Sequence, residues 1–378
     1  MDFVLSTAGG FGLALTLATI VWYNSLRNRA TLTRSALLPP RRAPWSYVWK
    51  HADDGSFLNL TGFSREAFRQ LVDDLFPRGR PALKRKRGRP ELLSKEAMTG
   101  LYLYYVNSKM EEKHLCLIFG VTPSTLSRMI DKMRALIISR LIKNPKSRIL
   151  WPNENTMEHF AFLVRLREPS VHDVIGFVDG LSIPVQCDDD ELTQNAHYDG
   201  YHHDTTVNNV FAFSPLGKIF YASINFPGSF HDTSVSSSLI DIVIRRIGIY
   251  KLCVDQGFPR AGDLFDKFVG PLSKKSKRLL APALKDLILD KHEKYVSLRQ
   301  ASEWGMRALQ GTFARLKSRL TSNIQKRHDI ILSIVLLHNY RTDVVGLNQI
   351  ATVFNPEYEQ YINLDGYDRI ARYYSRED

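Results

Sequence analysis

Residues 174–186 read VIGFVDGLSIPVQ, and this stretch decides the class of fold. Its β-branched and aromatic residues predict a buried strand that is interrupted by Asp179 and Gly180. An acidic residue inside an apolar strand is costly to bury unless it is paired or binds a metal ion. The stretch therefore predicts a strand of the fold and, at Asp179, a candidate functional residue on it.

The residues that follow alternate strands with helices. Residues 207–226, VNNVFAFSPLGKIFYASINF, contain two β-rich runs about Ser214–Gly217, which is a hairpin pattern. The later elements are predicted as a helix at about 232–247, a short buried strand at 249–258, and helical stretches at about 284–320 and 328–341. The order β-β-β-α-β-α predicts a mixed α/β sheet covered by helices.

Three acidic residues occupy informative places on this layout. Asp179 lies in the first strand, Asp255 lies at the end of the buried strand, and Glu303 lies on the penultimate long helix. Carboxylates from separate elements can converge on Mg²⁺ or Mn²⁺. Two such ions about 3.5–4 Å apart would activate water and stabilise the leaving oxygen of a phosphodiester. The layout is that of a ribonuclease-H-like nuclease, although Asp255 alone could simply cap the following turn.

The composition is that of a soluble globular protein with polyanionic partners. The 378 residues include 44% hydrophobic and 24% charged residues, and the net charge is +12. This sign favours nucleic acid first and anionic membrane second. The three cysteines, Cys116, Cys187 and Cys253, are far apart and form no CxxC pair. The sequence therefore predicts neither a disulfide scaffold nor a cysteine-built zinc site.

A basic block covers residues 78–90, RGRPALKRKRGRP, in which RGRP occurs twice. Arginines in an extended Gly/Pro backbone suit the narrow minor groove of AT-rich DNA. The block also fits a nuclear localisation signal, or a solvated linker. The predicted DNA contacts are Arg78, Arg80, Lys84, Arg85, Lys86, Arg87 and Arg89.

A helix-turn-helix is predicted after this block, in residues 111–137. A short helix ends at Gly120, Thr122 caps a second helix, and Pro123 takes its first position. Small polar residues and basic residues lie at the start of the second helix, as in a recognition helix. The predicted DNA contacts are Ser124, Thr125, Arg128 and Lys132. An ordinary helical hairpin is the alternative.

The chain begins with an uncharged run at residues 3–23, which is long enough to span a bilayer. Glycines and threonines dilute the run, and a helix packed on the body of the protein is equally compatible with it. Membrane contact through residues 3–23 is therefore an open alternative.

Four further segments resemble those of a known family. GFVDG at 176–180, FPGSFHD at 226–232, LCVDQGF at 252–258 and EWGMRALQGTFARLK at 303–317 are similar to the DDE nuclease domain of PIF/Harbinger transposases and of nucleases derived from them. The preceding helix-turn-helix and the HNY at Asn339 match as well. The resemblance covers about residues 56–345.

The resemblance implies a fold, a chemistry and partners. It implies an RNase-H-like fold with two divalent ions, and cleavage of DNA at element ends followed by strand transfer. It also implies a Myb-like DNA-binding partner protein and residence in the nucleus, and a homo-oligomer is a further expectation. Asp232 in FPGSFHD is a weaker candidate metal ligand, because capping the next helix explains it as well. His202 and His203 could contact metal or phosphate, although paired loop histidines commonly do neither.

The third carboxylate departs from the pattern of the family. Many Harbinger relatives carry the acid seven residues before the Lys of a segment like GRLK, and here that position is Gln310. Glu303 lies two turns upstream in an apolar setting, and Glu293 is the fallback. We assign Glu303 as the third ligand, with a salt bridge to Arg299 or Arg307 as its alternative role.

The sequence therefore predicts four regions in the chain and an enzymatic function for the protein. The regions are a hydrophobic segment and basic flank at 1–35, a helical DNA-binding region at 40–150, an RNase-H-like nuclease domain at 165–345, and a tail at 346–378. The expected function is a metal-dependent DNA endonuclease or transposase in the nucleus. The alternatives are a catalytically silent DNA-binding protein, and a membrane-associated version of either.

Overall fold

The computed structural model describes residues 16–23, 32–77, 91–272 and 285–355. A helical region precedes the sheet. Its helices are α1 (Pro44–His51), α2 (Asp54–Thr61), α3 (Arg65–Leu75), α4 (Lys95–Asn107), α5 (Glu112–Phe119) and α6 (Pro123–Leu141). Ser64 caps α3 by accepting a hydrogen bond from Ala67 N at 3.2 Å.

A mixed sheet forms the second part of the chain. Its strands are β1 (Val174–Pro184), β2 (Tyr198–Asp199), β3 (Asp204–Phe213), β4 (Ile219–Pro227), β5 (Lys251–Val254) and β6 (Phe268–Val269). The strand order is β2-β3-β1-β5-β6, with β4 also paired to β3. β3 is antiparallel to β1 and β4, whereas β5 is parallel to β1 and β6. This sheet confirms the predicted α/β class and is consistent with the RNase-H-like fold.

Helices cover the sheet on its two faces. They are α7 (Glu154–Arg167), α8 (Glu191–His197), α9 (Asp232–Val235), α10 (Ser237–Arg246), α11 (Lys285–Thr312), α12 (Ile324–Val344) and α13 (Gln349–Phe354). α7 and α11 pack on β1, while α10 and α12 pack on β4. Phe177 and Phe211 face one core, and Val178 and Val210 face the other. Each fully buried phenylalanine contributes about 1.5–3 kcal/mol relative to an exposed one.

The helical region and the sheet share one hydrophobic core. The cluster that contains Phe177 and Phe211 also contains Trp45, Leu101 and Leu126 from the helical region. α6 packs directly on α12. Part of the predicted C-terminal tail belongs to the same core, because α13 buries Ile350 and Phe354.

A cluster of polar side chains on α12, His338, Asn339 and Tyr340, joins the two regions; we call it the α12 hub. Asn339 Oδ1 accepts a hydrogen bond from Ile219 N at 2.7 Å, and its Nδ2 donates to Ile219 O at 2.8 Å. Tyr340 OH donates to Asp74 Oδ2 at 2.7 Å. The HNY segment therefore ties the β3–β4 hairpin to the helical region.

Candidate active site

Sheet register brings the two predicted aspartates together. Val178 in β1 pairs with Val254 in the parallel strand β5. Asp179 follows Val178 and Asp255 follows Val254, and the two strands run parallel. The two aspartates therefore lie next to each other just beyond this pair. The two carboxylates line one cleft with a volume of about 600 Å³.

α11 adds a cation and the third predicted acid to this edge of the sheet. Arg299 Nε lies 3.1 Å from Asp255 Oδ1, and Arg299 Nη1 lies 3.2 Å from Glu303 Oε1. Ser302 Oγ lies 3.4 Å from Asp179 Oδ2. The three predicted carboxylates are therefore gathered around one turn of α11, with the guanidinium of Arg299 between two of them.

The environment of Asp179 disfavours its charged form. Burial raises the pKa of Asp179 to about 6, and the neighbouring Asp255 adds to the rise. A hydrogen bond from Gly180 N at 2.9 Å and the charge of Arg299 oppose the rise. A buried carboxylate with a raised pKa is a common feature of functional sites, because a bound cation repays the cost of its burial.

The donor set fits a hard divalent cation. Asp179, Asp255 and Glu303 offer only carboxylate oxygens, the ligands that Mg²⁺ and Mn²⁺ prefer. Among the described residues, no group of three or more His, Cys, Asp and Glu side chains has the spacing to hold a metal ion. The present positions of the carboxylates instead accommodate the guanidinium of Arg299. The Nε of this guanidinium makes no well-directed hydrogen bond within the described part of the chain. A bound ion would therefore take over carboxylate oxygens that now face this guanidinium.

The surroundings of Glu303 differ from the sequence-based expectation. An apolar setting was expected, but the side chain of Glu303 is 47% exposed and its partner is Arg299. Ala301 and Met306 of the same helix enter the core. Gln310 lies about 10 Å further along the helix axis. Glu303 is thus the acid of α11 beside the aspartates, whereas Glu293 is exposed, as expected for a solvated residue.

The segment FPGSFHD also reaches the cleft. Gly228, Ser229, Phe230 and His231 belong to its lining. Asp232 begins α9, and its side chain lies outside the described part of the structure. The weaker assignment of Asp232 as a metal ligand therefore stays a prediction.

Two helices and a tight turn occupy the predicted helix-turn-helix. α5 ends at Gly120, which has φ +66°, and α6 begins at Pro123. A Cβ at residue 120 would lie 2.3 Å from Leu38 O, so both the conformation and the contact require glycine. Thr122 precedes α6 but makes no capping bond with its side chain; its Oγ1 lies 3.0 Å from Thr125 Oγ1.

The predicted DNA contacts on α6 line a second cavity of about 710 Å³. Ser124, Arg128 and Lys132 are exposed and Thr125 is half-buried. Lys132 forms an ion pair with Glu91, and the chain from Leu37 to Pro40 borders the same cavity. These side chains share one face, as the helical period predicts.

The basic block and most of the N-terminal run lie outside the described residues. The block comprises Arg78, Arg80, Lys84, Arg85, Lys86, Arg87 and Arg89, for which DNA contact stays a prediction. Of residues 3–23, the structure describes 16–23, which are helical and exposed. Within the described ranges, no helix has the length and apolarity needed to cross a bilayer.

Sequence reasoning missed two side chains that contact the candidate site. It treated Arg299 only as an alternative partner of Glu303, and it did not see that the same guanidinium reaches Asp255. It also left Asp199 unassigned, although this carboxylate is largely buried and bonds to His202. The contact of Arg299 with Asp255 joins two distant elements, so no spacing signalled it, whereas the three-residue separation of Asp199 and His202 was the one local signal for their pair.

One comparison with known proteins bears on this site. Residues 178–339 match the family model described as DDE superfamily endonuclease. The match begins at β1 and ends in the α12 hub, so it includes all three candidate carboxylates. It supports the DDE superfamily for the sheet-containing part of the chain. No curated protein and no solved structure matches the chain.

Proposed function

We propose that this protein is a divalent-metal-dependent DNA endonuclease of the transposase kind, with Asp179, Asp255 and Glu303 as its metal ligands. The observation that carries the proposal is the gathering of these three carboxylates around Arg299 at one edge of the sheet. Acids on separate elements are brought together at a cost in repulsion, and a bound cation would offset that cost.

Each of the three acids has its own part in holding the metal ions. Asp179 and Asp255 would hold the ions from the strands, and Glu303 would complete the set from α11. One or two bound Mg²⁺ or Mn²⁺ ions would supply an activated water and stabilise charge on the leaving oxygen. Ser302 Oγ lies 3.4 Å from Asp179 Oδ2, but its shorter hydrogen bond, at 2.8 Å, is to Arg299 O.

The finer identity follows the resemblance. We infer a PIF/Harbinger-type nuclease that resides in the nucleus and works with a Myb-like protein. Its α5–α6 pair would read duplex DNA through Ser124, Thr125, Arg128 and Lys132, as a helix-turn-helix does. The shared face of these residues supports this assignment. Assembly into a homo-oligomer is part of the same inference.

Plasmid nicking tests the activity. Purified full-length protein is incubated with supercoiled plasmid and Mn²⁺, beside an Asp179→Ala variant and an EDTA control. We expect metal-dependent conversion to nicked and linear DNA by the wild type and none by the variant. Equal nicking by both proteins would point to a contaminating nuclease. No nicking by the folded wild type on any duplex, with Mg²⁺ or Mn²⁺, would refute the proposal.

A further inference from the structure

The turn between β2 and β3 brings a histidine–aspartate pair into the same cleft. His202 Nδ1 lies 2.6 Å from Asp199 Oδ2. The side chain of Asp199 is 12% exposed, whereas that of His202 is 52% exposed. Both residues line the cleft that contains Asp179 and Asp255.

Asp199 holds the turn and the imidazole at the same time. Its Oδ1 accepts hydrogen bonds from Tyr201 N at 2.9 Å and from His202 N at 3.3 Å. Burial acts to raise the pKa of Asp199, but the hydrogen bonds from His202 and Tyr201 outweigh it and leave that pKa below its ordinary value. Asp199 is therefore a built-in anionic partner for the ring.

The free edge of the imidazole is its Nε2. The hydrogen bond to Asp199 uses Nδ1, and within the described residues no protein group bonds to Nε2. In the imidazolium form Nε2 carries a second N–H, with Asp199 as the counter-ion of the ring. Such a charge-assisted donor is suited to a phosphate oxygen.

Few protein groups in the cleft could hold a phosphate. Its described lining contains Asp179, Asp199 and Asp255, and two histidines, but no lysine or arginine. Arg299 is already engaged by Asp255 and Glu303. A polyanionic strand that enters a cleft lined by carboxylates needs a positive group to hold its backbone.

We propose that His202 is a DNA-phosphate ligand of this cleft, and that Asp199 is the residue that positions its ring. The Nε2–H of His202 donates to a non-bridging phosphate oxygen of the strand that lies against the metal-binding carboxylates. This inference rests on the proposed function and adds the group that holds the strand in place.

The salt dependence of DNA binding isolates a single phosphate contact. Binding of the full-length protein to a fluorescent duplex of about 30 base pairs is measured in Ca²⁺ over a series of salt concentrations. His202→Ala should reduce the slope of log K against log salt by about 0.9 and weaken binding about tenfold. Asp199→Asn keeps the turn but removes the counter-ion, so it should fall between the wild type and His202→Ala.

The neighbouring histidine is the matched control. His203 is exposed and is not part of the cleft lining, and its φ of +52° is a conformation that asparagine tolerates. His203→Asn should leave the slope and the affinity unchanged. Thermal unfolding checks that all the variants are folded, since a half-exposed ring contributes little to stability.

The outcomes separate this inference from the proposed function. A wild-type protein that binds with a clear salt slope, together with a His202→Ala variant of the same slope and affinity, would overturn the role of His202. An Asp199→Asn variant that binds like the wild type would overturn the positioning role. A wild-type protein that binds no duplex would instead count against the proposed function itself.

Discussion

The carboxylates around Arg299 and the α12 hub are both polar clusters within the folded protein, but they differ in how completely their polar groups are paired. In the hub, Asn339 forms hydrogen bonds with both the N–H and the carbonyl of Ile219, and Tyr340 donates a hydrogen bond to Asp74. Around Arg299, two carboxylates, those of Asp255 and Glu303, share one guanidinium, and burial raises the pKa of the third, Asp179, to about 6.

The difference separates polar residues that hold the fold from polar residues that await a ligand. A buried cluster with matched donors and acceptors is stabilising, and removal of one member leaves others unsatisfied. A cluster with surplus negative charge costs stability until a cation binds. The two clusters should therefore respond in opposite ways to substitution.

The largest expected effect is on activity at Glu303. Glu303→Gln removes an anionic ligand and should lower Mn²⁺-dependent nicking by roughly a thousandfold, while the fold survives. Glu293→Gln, an exposed acid on the same helix, is the matched control and should retain activity. Near-normal nicking by Glu303→Gln would show that the third ligand lies elsewhere.

The next largest effect is on stability at Asn339. Its side chain is fully buried, and Asn339→Ala would leave both backbone groups of Ile219 unpaired. We expect the free energy of unfolding to fall by about 2–4 kcal/mol in chemical denaturation.

The control for this substitution lies on the same helix. Asn323 caps α12 by accepting a bond from Lys326 N at 2.8 Å, and Asn323→Ala should cost only about 1 kcal/mol. Equal losses of unfolding free energy for the two variants would mean that the hydrogen bonds of Asn339 stabilise the fold no more than an ordinary helix cap does.

A smaller effect, of opposite sign, is expected at Asp179. Its folded-state pKa is raised from 3.8 to about 6, so the ionised form costs stability above that range, and the cost disappears as the pH falls toward 4. In EDTA, Asp179→Asn should therefore be more stable than the wild type by about 1–3 kcal/mol at pH 7.5.

The pH dependence checks the origin of this gain. Thermal or urea unfolding at pH 4 should bring the wild type and Asp179→Asn to within about 1 kcal/mol of each other, because Asp179 is then protonated in the folded protein and only about half ionised in the unfolded chain. A gain that persists unchanged at pH 4 would contradict an electrostatic cause.

The smallest effect is expected on metal affinity at Arg299. Its guanidinium faces carboxylate oxygens that an ion would bind, so Arg299→Gln should bind Mn²⁺ about tenfold more tightly in calorimetry. Arg307→Gln, an exposed position on the other side of Glu303, should leave the affinity unchanged. Weaker Mn²⁺ binding by Arg299→Gln would mean that the arginine supports the site instead of competing for it.

Much of the fold could be predicted because local patterns are strong in this chain. The β-rich run at 174–186, the hairpin about Ser214–Gly217 and the two helices predicted within 111–137 all correspond to elements of the structure. Other boundaries could not be predicted. The helix expected to reach residue 320 ends at Thr312, and a 3₁₀ turn follows at Ala314–Lys317, where Leu316 enters the core. Packing of that kind overrides local propensity.

The sequence by itself determined which acidic residues are anomalous, since a carboxylate within or directly after an apolar strand is costly wherever the strand lies. That argument identified Asp179 and Asp255, and the helical period placed Glu303 and Gln310 on one face of α11. Only the tertiary structure decided how these residues meet. Strand register sets Asp179 beside Asp255, Arg299 joins Asp255 to Glu303, and Asp199 orients His202 toward the same cleft. The pairing of β1 with β5 and the contact of Arg299 with Asp255 join elements far apart in the chain, and no local pattern encodes such distances.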